Sequence, residues 1–142
     1  MADTKAVVEL AYAAWKARDL PRIVELLSDD MVFALHIPAE VMPLGGETHG
    51  RAAVAAALQG LMDTYDFLAY DVGPVAVDGA TATCENHFRY RHKKTGDVID
   101  GRLRDRWQVA SGKVVRLDEW HDVPAVKAYF QRVAMSLAAK PA

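Results

Sequence analysis

Cysteine is nearly absent from this chain. The single Cys84 among 142 residues excludes an internal disulfide and a cysteine-built zinc cluster, and inside the strand-like run 80–90 it reads as a small buried hydrophobe. An excess of charge of one sign is missing too. The 17 Lys and Arg and 19 Asp and Glu leave a formal net charge of −2, so no general field gathers nucleic acid or an anionic membrane surface. No apolar run approaches the ~20 residues that a bilayer-crossing helix needs. Met1-Ala2-Asp3-Thr4-Lys5 also lacks the basic start and apolar stretch of a secretory leader, so a cytoplasmic protein is expected. Repeats and low-complexity tracts are absent, and neither the histidines nor the carboxylates have a spacing that demands a metal. No cofactor is implied.

What is present is apolar surface. Hydrophobic residues make up 51% of the chain, enough for one core, and the length fits a single domain over 1–142. Asp3 or Thr4 caps a first helix to about Arg18, with Val7, Leu10, Ala11 and Ala14 beside Val8, Tyr12 and Trp15 as adjoining apolar stripes. Asp19 caps a short second helix with Pro21 in its first turn, and Ile23, Val24, Leu26 and Leu27 turn inward. A strand-like run, Met31 to Ile37, precedes a loop from Pro38 to Gly50. A third helix follows from about Arg51 to Thr64, then strand-like segments broken by Asp78-Gly79, Thr95-Gly96 and Ser111-Gly112, each a hairpin signal. Asp122 with Pro124 opens a last helix toward Leu137. Helices first and consecutive hairpins after predict an α+β domain, its mostly antiparallel sheet covered on one face by helices. A sheet that curls around those helices leaves a pocket.

The last hairpin carries the chemistry. A three-residue connection, Ala110-Ser111-Gly112, places Val109 opposite Lys113, Trp107 opposite Val115 and Asp105 opposite Leu117. Leu103, Asp105, Trp107 and Val109 then share the inner face with Val115, Leu117 and Glu119, and two carboxylates sit on a core-like face as diagonal neighbours roughly 7–8 Å apart. Such a placement is costly unless the groups are paired, protonated or facing a cavity. A two-residue Thr95-Gly96 turn sets Phe88 opposite Leu103 and Asn86 opposite Asp105. A four-residue loop shifts that pairing one step without changing the face.

With the elements in this order, Arg18-Asp19-Leu20-Pro21 leading to Leu27-Ser28-Asp29-Asp30, Gly50-Arg51-Ala52-Ala53-Val54 opening the third helix, and Gly112-Lys113-Val114 leading to Trp120-His121-Asp122 resemble the SnoaL-like branch of the nuclear transport factor two and ketosteroid isomerase superfamily. The resemblance spans nearly the whole chain. It implies a cone-shaped, cystatin-like fold, a curved sheet wrapped around the N-terminal helices, that hosts isomerases, cyclases, lyases, hydrolases and non-catalytic binders. In this likeness Asp105 stands where ketosteroid isomerases hold a protonated acid that donates to an enolate oxygen, the handling of a neutral carboxyl known from that enzyme. Glu119 stands where limonene epoxide hydrolases keep a catalytic carboxylate. The match is incomplete: Leu35 occupies the place of the isomerase's proton-shuttling Asp and Ala11, beside Tyr12, that of its helix-one Tyr. Asn86 and Phe88 occupy the places of the epoxide hydrolase's Arg and Asp.

The expected catalytic groups are therefore Glu119, Asp105 and Asn86. Tyr12, Trp15, Phe33, Leu35, His36, Phe88, Leu103, Trp107, Leu117 and His121 are expected to bind an apolar small-molecule ligand. Strict alternation points His36 away from the pocket, and its place in the set depends on a bulge before Pro38. His49 is a candidate for the pocket mouth, whereas His87 belongs to the opposite sheet face. A pocket carboxylate near a second acid is expected to have a raised pKa, suited to acid or base work. On the outer face Glu85, His87, Arg89, Arg102, Arg104, Arg106, Arg116, Asp118 and Trp120 form an alternating-charge surface, with Arg104 expected opposite Asp118, that suits a two-fold homodimer contact. Two function classes stand: an acid/base enzyme of isomerase, cyclase, lyase or hydrolase type, and a non-catalytic binding or assembly module with the same pocket.

Overall fold

Residues 3–139 are described by a computed structural model. Helix α1 spans Thr4–Lys16, with the Asp3 side chain accepting from the Ala6 amide, and α2 spans Leu20–Leu26 under an Asp19 cap, with Pro21 in its first turn. Strand β1 (Leu27–His36) follows, then β2 (Gly46–His49), α3 (Arg51–Thr64), β3 (Tyr65–Val72), β4 (Ala76–Asp78), β5 (Thr81–His92), β6 (Val98–Ala110), β7 (Lys113–His121) and α4 (Val123–Ala139). The sheet order is β2-β1-β7-β6-β5-β3 with β4 added on β5; β1 runs parallel to β7 and the other pairs are antiparallel. This is the expected α+β architecture. Alternation decides the faces: along β6 Leu103, Asp105, Trp107 and Val109 are buried while Arg102, Arg104 and Arg106 are exposed. The inner face packs on Val7, Val8, Ala11 and Tyr12 of α1, Ile23 and Leu26 of α2, and Val54 of α3.

Three expectations about pairing need correction. Ser111 and Gly112 both have positive φ, 53° and 72°, so the β6–β7 connection is a two-residue mirror-image turn, with Ala110 opposite Lys113. One extra residue on β7 between Val114 and Arg116 then bulges the strand and restores the inward phase. The outcome puts Trp107 opposite Leu117, Asp105 directly opposite Glu119, and Leu103 opposite His121. On the outer face Arg104 faces Trp120, and Arg106, not Arg104, faces Asp118. The β5–β6 connection is the four-residue one, Lys93 to Gly96, so Phe88 lies opposite Gly101, Asn86 opposite Leu103, and Cys84 opposite Asp105. Gly101 lets the Phe88 ring pack closely on β6, since a Cβ at that position would come within 3.1 Å of the ring. Finally, the loop from Pro38 to Gly50 contains β2, whose Gly-Glu-Thr-His sequence has no apolar alternation to announce a strand.

Candidate functional site

The concave side of the sheet and the helices across it enclose a cavity of about 130 Å³, a space that suits a small organic molecule. Its wall is almost wholly apolar. Tyr12, Trp15, Phe33, Leu35, Phe88, Leu103, Trp107 and Leu117, all expected from the sequence, line it, as do Asp105, Glu119 and His121. Met42, Leu58 and Leu61 are partly exposed lining residues from the loop after β1 and from α3, and Phe130 is their counterpart from α4.

Two expected histidine positions are corrected. No bulge turns His36 inward; its ring stacks on Trp120 at 4.5 Å and its Nε2 lies 2.9 Å from the Asp118 carboxylate, both on the outer face. His49 is exposed and bonds Glu47 rather than reaching the cavity. His87 does lie on the outer face, held between Asp71 and Asp100. Asn86 is 1% exposed and stands behind the cavity wall, not on it.

The polar end of the cavity is the carboxyl pair on β6 and β7. Asp105 is fully buried and every polar contact it makes is fixed. Its Oδ2 accepts from the Tyr12 hydroxyl at 2.8 Å and from Asn86 Nδ2 at 3.3 Å. The Tyr12 oxygen in turn accepts from Trp107 Nε1 at 2.9 Å. Asn86 is held on its other side, where Oδ1 accepts from Cys84 Sγ at 3.0 Å and the Gly73 amide at 3.3 Å. Asp105 Oδ1 is buried with no donor reaching it. A bare carboxylate oxygen there would be costly, which favours the protonated form of Asp105, whose register partner on β7 is Glu119.

Electrostatics split the pair in that sense. Burial, then the charge of Glu119 and a hydrogen bond with it, push the Asp105 carboxyl well above the usual range. Burial also acts to raise Glu119, but the hydrogen bond and charge of His121, together with the bond from Asp105, outweigh it and hold Glu119 below its ordinary value. His121 Nε2 lies 3.2 Å from Glu119 Oε2, with the two side chains 12% and 16% exposed. The sequence expectation of a raised pKa thus holds for Asp105 and is reversed for Glu119. The two carboxyls thus titrate as one pair, in which their surroundings favour the proton on Asp105 and the charge on Glu119.

Tyr70 and Tyr90 also line the cavity, and the sequence reading had not singled out either. Tyr70 sits at the β3 position opposite Phe88, and Tyr90 ends the inward row Cys84, Asn86, Phe88, Tyr90 on β5. That period-two row was the signal that marks Tyr90. Among the described residues no group of three or more His, Cys, Asp or Glu side chains is placed to hold a metal ion, and no helix is long and apolar enough to cross a membrane.

Residues 8–117 match the SnoaL-like domain, and the chain belongs to that family. Among curated protein sequences none matches it. Solved structures share its fold at low identity. It is similar to an NTF2-like protein from Burkholderia thailandensis E264 at 18% identity and TM-score 0.80, covering 92% of this chain and 99% of that one. A candidate polyketide cyclase from Pseudomonas putida KT2440 is similar at 19% identity and TM-score 0.72, with 91% and 98% covered. An LEH-like epoxide hydrolase from M. tuberculosis is similar at 17% identity and TM-score 0.70, with 93% and 92% covered.

Proposed function

We propose that the protein is a small-molecule enzyme in which Glu119 acts as a general base on an apolar substrate held in the cavity. Asp105 and Asn86 are the residues that position and tune it. The observation that carries this reading is a carboxyl pair with unlike surroundings at the polar end of an apolar cavity: Glu119 is held by His121, whereas Asp105 is bonded by Tyr12 and Asn86, an arrangement that favours charge on Glu119 and the proton on Asp105. An apolar site whose carboxylate is paired with a histidine fits proton removal from carbon beside a substrate oxygen, because the apolar wall excludes competing water. His121 completes the site by holding Glu119 in place, and among the described residues no lysine or arginine lines the wall. The chemistry belongs to the isomerase, cyclase or lyase type. Family neighbours carrying cyclase and epoxide hydrolase labels agree with a catalytic use of this fold. The working form on this proposal is a homodimer paired through the outer sheet face, where Trp120 lies between His36 and Arg104.

Exchange of ketone α-protons in deuterated buffer tests the reading without knowledge of the natural substrate. Small cyclic ketones that bind should exchange faster with the protein than in buffer. Glu119→Gln should lower that acceleration by about two to four powers of ten with ligand affinity retained. Ketones that bind yet exchange at the buffer rate would make the pocket a carrier site instead.

A further inference from the structure

A ligand reaches an enclosed cavity through a part of the wall that moves. The helices that form the wall are not held alike. Helix α1 is pinned where Tyr12 donates to Asp105 at 2.8 Å, and Val7, Val8, Ala11, Tyr12 and Ala14 are all buried along it. Helix α3 is pinned at both ends. The Gly50 amide before it donates to Met31 O at 2.7 Å, and at its close Arg18 donates to Met62 O at 2.6 Å and to Tyr65 O at 3.3 Å. Helix α4 differs. It buries Val126, Tyr129 and Val133 of its 17 residues, and its other side, with Lys127, Ala128, Gln131 and Met135, is exposed.

Two separate sets of contacts hold α4. Near its start the Asp122 side chain caps the Ala125 amide at 3.1 Å, and Val126 belongs to the main core. Further along, Tyr129 and Val133 pack with Tyr65 in a small apolar cluster of their own. There the Tyr129 hydroxyl donates to Asp97 O at 3.0 Å and Arg132 Nη2 to Val98 O at 3.5 Å. Both acceptors belong to the β5–β6 hairpin, which closes without them, since Asp97 O also accepts from the His92 amide at 2.9 Å. A segment held by a satellite cluster and a few hydrogen bonds opens at a lower free energy than the core beneath it. Its opening leaves the main core in place.

We infer that α4 is the moving cover of the cavity: the part from Tyr129 onward lifts from the β5–β6 hairpin about the joint at Asp122, and displacement of Phe130 opens the way in. Asp122 is the single residue between β7 and α4. Phe130 lies about 10 Å along the helix from Val123, far enough for a small tilt to clear it. It lines the cavity and packs against the satellite cluster beside Leu61 of α3, so parting the cluster and opening the wall are one event. The partly exposed lining residues Met42, Leu58, Leu61 and Phe130 carry no side-chain hydrogen-bonding group. Such an entrance favours neutral, apolar ligands. Helix α4 lies outside residues 8–117 that match the SnoaL-like domain, so membership of the family does not assign this role. The inference holds for a catalytic and a carrier cavity alike.

Stopped-flow binding of N-phenyl-1-naphthylamine, a neutral dye that brightens in apolar sites, tests the cover. Where a site must open first, on- and off-rates both scale with the open fraction, so weakening a latch speeds both and leaves the dissociation constant nearly unchanged. Tyr129→Phe should raise both rates by about 3- to 10-fold, the change in open population expected for one lost hydrogen bond. Arg132→Gln, at an exposed position, should act in the same direction and keeps the test available if the first variant does not fold. Phe130→Ala should raise the on-rate further than either. Substitutions that merely loosened a fixed wall would raise the off-rate and the dissociation constant with the on-rate unchanged. Hydrogen exchange without dye gives a second reading: the amides from Phe130 to Ala139 should exchange together through an opening well short of global unfolding, and faster in Tyr129→Phe. On-rates equal to that of the unaltered protein in all the variants, or α4 amides that exchange only with global unfolding, would overturn the cover. If the dye does not bind, the exchange result decides alone.

Discussion

Asp105 and Glu119 differ by one methylene, yet they take opposite protonation states because their neighbours differ. Asp105 has a phenol, an amide and an indole behind it but no cation, whereas Glu119 has His121 beside it. The sign of each effect on stability follows. Asp105, raised in the folded state, contributes stability that is fully present below its unfolded pKa of about 3.9 and is lost as pH rises through its higher folded value. Glu119, lowered, contributes stability that is present above about 4.3 and is lost on acidification. Asp105→Asn should therefore flatten the decline of melting temperature from mildly acidic to alkaline pH. It should also lower turnover less than Glu119→Gln, since an amide retains a donor toward Glu119; an unaltered pH profile of melting temperature would show that Asp105 is ionised in the native protein. The inward phase of Asp105 and Glu119 was legible from alternation, as was that of Phe88 and Trp107. The preference for the proton on Asp105 came from the family resemblance and not from alternation, and the lowered Glu119 was not foreseen, because Tyr12, Asn86 and His121 are brought in from α1, β5 and the end of β7.

Among the elements, the β3–β4 junction decides how well Asn86 is held. Gly73 leaves β3 and passes so close to β5 that its amide bonds both Glu85 O and Asn86 Oδ1, and a Cβ there would lie 2.4 Å from the Glu85 carbonyl oxygen. Gly73→Ala should force the two segments apart at a cost of about 1–3 kcal/mol. It should also shift the side-chain amide resonances of Asn86; a melting temperature and amide spectrum equal to wild type would separate this junction from the site. Helix ends were readable where a local residue dictates them, as at Asp19-Leu20-Pro21, and Gly112 marked the place of the last hairpin turn. The β6–β7 register was not readable, because Ser111 also takes positive φ and shortens the turn to two residues and an extra residue on β7 then shifts the pairing once more. His36 was misplaced for the related reason that a bulge before Pro38 was required and none forms.

At the scale of the whole molecule, the charged outer face and the apolar cavity lie on opposite sides of one sheet. The outer face is knitted by Arg116 to Asp118 and Glu47, and by His36 to Asp118, around the Trp120 ring. If this face pairs two copies, Trp120→Glu with Arg104→Glu should halve the mass measured by light scattering and leave ligand binding in the cavity intact. A mass unchanged by the double substitution would count against that face. The order of elements and the curved sheet were legible from the chain because they follow from hydrophobic period and turn signals. Cavity size was not, since it depends on how α3 and α4 lean across the open end. The cavity's purpose on this account is to keep one proton on the buried member of a carboxyl pair and leave the other member a base. Carbon-13 NMR of the side-chain carboxyls through a pH titration measures that directly. At neutral pH the Asp105 carboxyl carbon should have the shift of a protonated acid while that of Glu119 is ionised. Both carbons ionised at neutral pH, each titrating in the ordinary acid range, would contradict the account.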